Sequence, residues 1–122
     1  MTIPDWFGEA EAGVQSVNVP PDIAAAALAG LRTWLARVPE DEPAISALVS
    51  ARRFETIVDS FHQTLPFGTA GRRGPVGIGP NRINRWTVAT SVQGHVGWLR
   101  ERFGSGPVTT VIAYDVRAFH DT

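Results

Sequence analysis

Apolar positions recur at steps of three and four through the first half of the chain. Leu28, Leu31, Leu35 and Val38 form one stripe, the spacing of a helix that turns one face to a core. Pro20 and Pro21 open this helix, since proline is tolerated in a first turn, and Asp22 suits the positive end of its dipole. Pro39-Glu40-Asp41-Glu42-Pro43 reads as a turn leading into a second helix, with Ile45, Leu48 and Val49 as its short apolar face. Phe54, Ile57, Val58, Phe61 and Leu65 continue the pattern in a further helix. Residues 1–19 show weak periodicity and read as a loose lead-in, with Trp6 and Phe7 available to pin it to the body.

The pattern breaks after Leu65. Residues 67–84 place glycine at 68, 71, 74, 77 and 79 and proline at 75 and 80. A helix there would cost about 1 kcal/mol per interior glycine and about 3 per proline, so the segment is predicted to be loop, with room for a short strand at its entry. Val88, Val92, Val96, Leu99 and Phe103 then define an amphipathic helix from about Asn84 to Phe103, stopped by Gly104, Ser105, Gly106 and Pro107. Val108 to Tyr114 is a β-branched, nearly continuous apolar run, the pattern of a buried strand. The predicted class is therefore α/β: a helical amino-terminal extension over 1–64, then a partial α/β/α (βαβ) unit over 65–122. One good strand and one doubtful one cannot bury a helix on each face, so the second part reads as the beginning of a domain. Its unpaired edge predicts a chain that is marginal, self-associating or dependent on a partner.

Composition narrows the function classes. At 122 residues the chain suits one domain, and 43% apolar with 19% charged residues excludes wholesale disorder. The absence of cysteine excludes disulfides, a thiolate nucleophile and Cys-ligated zinc. The first residues lack the basic start and apolar core of a secretory signal, and no apolar run approaches the roughly 20 residues of a membrane span. The expected compartment is the cytoplasm, with no membrane partner. A formal charge of −1 argues against nucleic acid as a partner. The charge is uneven: residues 1–66 hold four Arg and nine Asp or Glu, a net of −5, whereas residues 67–122 hold seven Arg and three, a net of +4. Every basic residue is Arg, which removes Lys chemistry and supplies planar guanidinium groups suited to phosphate or carboxylate.

Chemistry concentrates in the glycine-rich segment. Glycine lacks Cβ, so its backbone N–H groups can turn inward toward an anion. Arg72, Arg73, Arg82 and Arg85 lie in or beside the loop and a helix amino end follows it, which together would favour a phosphate. The loop is neither a Walker loop, having no Gly-Lys-Ser or Gly-Lys-Thr, nor a dinucleotide fingerprint, since Gly77 and Gly79 lack the third glycine. Composition alone leaves anion binding and a merely structural loop both open. His62 fits a helix end, His95 a mid-helix surface or packing position, and His120 has no assignable role; with no carboxylates clustered near them they make no metal site. Ser60, Ser91 and Ser105 lack a nucleophile-elbow context. Asp115, after the predicted strand, is either a catalytic carboxylate or a turn residue pairing with Arg117. Trp86 and Trp98 read as packing residues.

The segment Phe67-Gly68-Thr69-Ala70-Gly71-Arg72-Arg73-Gly74 resembles the FGTAGLRG signature of the α-D-phosphohexomutases, the phosphoglucomutase and phosphomannomutase superfamily. The likeness continues in VGIGPNRIN (residues 76–84), in Thr90, Gly94 and Leu99, and in VIAYDVR (residues 111–117), similar to the family's Tyr-Asp-x-Arg turn. The acidic helical lead-in with Trp34 and Leu35 resembles the longer members. The resemblance implies the amino-terminal part of domain I of a four-domain, magnesium-dependent enzyme. Such enzymes move phosphate between the 1- and 6-oxygens of a hexose through a phosphoserine and a bisphosphorylated intermediate, chemistry that rests on anion clamps and a metal. It implies catalytic roles for Arg73, the family's cleft arginine, and for Thr69 beside it, and phosphate binding along Gly68, Gly71, Arg73 and Gly74. Arg72 stands where the family has Leu, so no role carries over to it. The family's Ser-His-Asn-Pro and Asp-Gly-Asp motifs do not occur in these residues. This chain by itself is therefore expected to hold no metal and to be inactive, with Mg2+ belonging to the full-length family. Expected partners are a hexose phosphate or bisphosphate and the remainder of such an enzyme. The alternative is a stand-alone, non-catalytic α/β module that binds a phosphorylated ligand or a protein.

Overall fold

The structure, a computed structural model, describes residues 3–114. Asp115, Arg117 and His120 lie outside the described residues. Five helices follow in order: α1 (Phe7–Ser16), α2 (Pro21–Arg37), α3 (Glu42–Ser50), α4 (Phe54–Phe61) and α5 (Arg85–Phe103), with a 3-10 turn at Pro39–Asp41 between α2 and α3. The predicted stripe on α2 faces inward: Ala27, Leu28, Leu31 and Leu35 meet Ile57, Val58 and Phe61 of α4, Ile45 and Val49 of α3, and Phe7, Ala10 and Val14 of α1. Each large aliphatic side chain so buried contributes about 1.5–3 kcal/mol. Gly30 permits the close crossing of α2 and α4, because a Cβ there would clash with the Phe61 carbonyl oxygen. Trp34 closes the end of this core, its ring edge-on to Phe61 and its Nε1 donating to Asp41 Oδ2 at 2.8 Å.

Residues 7–16 depart from the expected loose lead-in: they are helix α1. The stripe of Phe7, Ala10 and Val14 is thin because alanine carries little hydrophobic signal, and packing on α2 and α4 supplies what a short isolated helix lacks.

The chain after α4 is folded back onto that helix's carboxyl end. The last carbonyls of a helix have no partners within it, and here the GPNR segment provides them. Asn81 N donates to Ser60 O at 3.0 Å, Asn81 Nδ2 to Asp59 O at 2.8 Å, and Arg82 to the Asp59 carboxylate at 2.5 Å. Asn81 and Arg82 are both buried. Gly79 has a φ of +112° and a Cβ there would lie 2.5 Å from Ser60 O, so glycine is required on both counts. His62 caps the same end, its Nδ1 3.0 Å from Val58 O, as a helix-end imidazole should.

The expected α/β class is met in its helices and not in its sheet. Residues 108–114, predicted to be a buried strand, pair with nothing among the described residues, and Val111, Ile112 and Tyr114 are 92%, 84% and 93% exposed. A strand gains its hydrogen bonds from neighbours, and none of the described segments offers an edge. The expected entry strand is likewise reduced to two isolated bridges, Gly68 with Gly71 and Val76 with Ile83. Helix α5 spans the predicted residues, but its expected apolar face is largely open among the described residues: Val88, Val92 and Phe103 are each half exposed, Val96 and Leu99 are part-buried, and Thr87 is the buried residue of the helix; Trp98, expected to pack, is also half exposed. No helix among the described residues is long and apolar enough to cross a membrane.

Candidate functional site

The glycine-rich segment forms a narrow turn standing off the helical body. Gly68 and Gly71 exchange two backbone hydrogen bonds, N to O at 3.0 and 3.1 Å, with Thr69 and Ala70 at the tip. Gly71 closes the turn with a φ of +94°, accessible to glycine at little cost. The amides of Gly68 and Gly71 are thus engaged within the turn. The Thr69 hydroxyl is exposed, and Gly74 is held close to the side chain of Leu65.

The four arginines of this region have different fates. Arg82 is buried in its pair with Asp59, and Arg85 pairs with Glu40 at 2.5 Å. Arg72 turns back over the Phe67 ring, 4.7 Å from its centroid, and donates from Nη1 to Thr87 O and Ser91 Oγ at 2.9 and 3.0 Å. Arg73 is exposed and makes no hydrogen bond or ion pair among the described residues. Among the described residues, a composition that offered four cations to a ligand therefore leaves Arg73 as the guanidinium without a protein partner, with Arg85 in an exposed ion pair.

The helix amino end is also committed. Asn84 caps α5: its Oδ1 accepts from Trp86 N and Thr87 N at 3.1 and 3.0 Å, and its Nδ2 donates to Gly77 O and Gly79 O, each at 2.9 Å. Thr87 Oγ1 accepts from Asn84 N at 3.0 Å, which completes a reciprocal capping box. These first-turn donors are satisfied, so the anion-attracting amino end expected from the sequence is occupied by the protein's own side chain. Asn84 and Thr87 order the loop, a task that their spacing ahead of an apolar helix signals. Ser91 and the Asn81–Arg82 clasp carry no such local signal, because their partners lie 19 to 23 residues away.

The described residues do not fit a magnesium site, since no three His, Asp or Glu side chains converge among them. A separate cleft of about 500 Å³ lies among α2, the end of α4 and the start of α5. Its walls include Trp34, Arg37, His62 and Trp86, and neither Arg73 nor the loop tip borders it.

The chain is 31% identical over 78 residues to a phosphoglucomutase of Staphylococcus haemolyticus, a stretch covering 64% of this chain and 14% of that protein. It is 31% identical over 81 residues to a phosphopentomutase of Mus musculus, covering 66% of this chain and 13% of that protein. A phosphoglucomutase of Staphylococcus aureus is 39% identical over 59 residues, 48% of this chain and 10% of its own length. The chain thus matches a small part of proteins several times its length, and these partial matches support a phosphohexomutase-like relationship. No family model matches the chain, and no solved structure matches it.

Proposed function

We propose that this chain supplies the anion-contacting amino-terminal segment of a phosphohexomutase-type phosphotransferase in the cytoplasm, acting on a hexose phosphate. The observation that carries this reading is the selective availability of Arg73: the other three arginines are each bonded to protein, and among the described residues Arg73 is the one with no such partner. Gly68 and Gly71 shape the turn that holds it out, while the Thr69 hydroxyl and the Gly74 amide lie close enough in sequence to join it around a phosphoryl oxygen. Guanidinium recognises such a group with two parallel hydrogen bonds and fixes its orientation as well as its charge.

Phosphoryl transfer also needs an acceptor nucleophile and charge neutralisation. These residues contain neither the Ser-His-Asn-Pro nor the Asp-Gly-Asp motif of the resembled family. The chain by itself therefore binds without turnover, and catalysis requires the polypeptide that carries those groups. One observation favours a second reading, a stand-alone binding module: the buried cluster among the described residues is built almost wholly from α1 to α4, with Leu65 buried and Ile78 packed at its edge.

The test is calorimetric titration of the purified chain with inorganic phosphate and a hexose bisphosphate, for the native sequence and for Arg73→Ala. A lost charge-assisted hydrogen bond is worth about 1.5–3 kcal/mol, so binding should weaken by roughly tenfold or more. Equal affinity in the two proteins would remove Arg73 from the site. Conversion of glucose 1-phosphate to glucose 6-phosphate by the isolated chain would contradict the assignment of the chemistry elsewhere.

A further inference from the structure

We infer that Arg72 is a positioning residue that brackets the glycine-rich turn onto α5 and so sets where the free guanidinium of Arg73 stands. This rests on the reading of Arg73 as an anion contact, although the bracket itself is a property of the loop and can be tested without a ligand. Among the described residues, the backbone of the turn between Gly68 and Gly71 is bonded to itself. Among the described residues, the hydrogen bonds that tie residues 67–74 to the rest of the protein are the two from Arg72 Nη1, to Thr87 O at 2.9 Å and Ser91 Oγ at 3.0 Å. The same guanidinium covers the face of Phe67, which precedes the turn, at 4.7 Å. One side chain thus grips both the entry of the turn and the first turns of α5.

Thr87 O explains why a cation is suited to this place. That carbonyl also accepts from Thr90 Oγ1 and Ser91 Oγ, each at 2.9 Å, so partial negative charge and hydroxyl dipoles converge where Arg72 arrives. Leu, the residue of the resembled signature at this position, would cover Phe67 and leave those acceptors unlinked to the loop. Arg72 is half-buried and its Nε has no partner, whereas Arg73 is exposed. Two adjacent, identical side chains therefore do opposite work, one facing the protein and the other facing solvent.

The experiment is limited trypsin digestion of the full chain, following cleavage of the Arg73–Gly74 bond by mass spectrometry in native protein, Arg72→Leu and Ser91→Ala. Releasing the bracket should speed that cleavage about tenfold in Arg72→Leu and about threefold in Ser91→Ala, the scale of one to two hydrogen bonds lost. Cleavage after Arg52 in the helical body should not change. Unaltered cleavage at Arg73–Gly74 in both variants would overturn the bracket, as would equal acceleration at Arg52, which would mean general loosening. Should Arg72→Leu fail to fold, Ser91→Ala decides alone, since its side chain lies at the helix surface. A second readout separates positioning from direct contact: in an Arg73→Ala background, Arg72→Leu should cause no further loss of phosphate affinity. Additive losses would put Arg72 on the ligand and overturn the proposal. If no variant, nor the native chain, binds phosphate, the functional reading of Arg73 falls and the digestion result still decides the bracket.

Discussion

Helices α2 and α5 are of similar length, 17 and 19 residues, and are held in place by different physics. Helix α2 buries Ala24, Ala27, Leu28, Leu31, Trp34 and Leu35 and is surrounded by other helices. Helix α5 buries Thr87, carries Gly94 and Gly97 in its interior and exposes Val88 and Val92. Its sequence has low helix propensity, since β-branched residues lose rotamer freedom and interior glycines cost about 1 kcal/mol each. What fixes it is polar and local to one end: the Asn84 cap, the Thr87 hydroxyl and the Arg72 bracket. The difference shows that apolar pattern and burial are separate facts. A stripe at helical spacing marks a surface fit to be covered, and only packing makes it a core.

The largest effect that would sharpen this contrast belongs to α2. Leu31→Ala removes a fully buried side chain and should cost about 2–5 kcal/mol, read as a lower urea midpoint by Trp fluorescence. A loss below 1 kcal/mol would mean that the helical core is looser than its burial implies. Next is the hinge between the two regions. Gly79→Ala combines a positive φ with a contact on Ser60 O and should cost about 1–3 kcal/mol, with faster amide exchange at Asn81. Smaller is the cap: Asn84→Ala should lose about 1 kcal/mol, seen as faster exchange of amides in the first turns of α5 with those of α2 unchanged. The smallest expected effect is Val92→Ser on the open face of α5, which should shift the urea midpoint by less than about 0.5 kcal/mol. A shift as large as that of Leu31→Ala would mean that α5 is covered in solution.

The contrast also marks where sequence reasoning succeeds. Pro20, Pro21 and the Leu28–Leu35 stripe specify α2 because start signal, periodicity and burial agree in one local window. The boundaries of α5 were legible for the same reason, with Asn84 before it and Gly104 after it. The role of residues 108–114 was not, since strand pairing depends on partners distant in sequence. At the candidate site, the glycine and arginine content correctly marked an irregular loop. Which arginine remained free could not be read, because the partners of Arg82, Arg85 and Arg72 lie 23, 45 and 15 residues away. Identical residue types became unlike through tertiary contacts alone.

The clasp of Asn81 and Arg82 on the end of α4 has a consequence for kinetics. Its acceptors, the carbonyls of Asp59 and Ser60, are gathered at one helix terminus only once α4 has formed and stopped. The clasp is therefore expected to close late, after the helical core has collapsed. Interactions absent from a transition state slow escape from the native state without speeding arrival. Weakening the clasp by Asp59→Ala should raise the unfolding rate and leave the refolding rate unchanged, giving a phi-value near zero in a stopped-flow chevron. The glycine-rich loop would then act as a latch on the lifetime of the fold, governing how long the helical body persists once made.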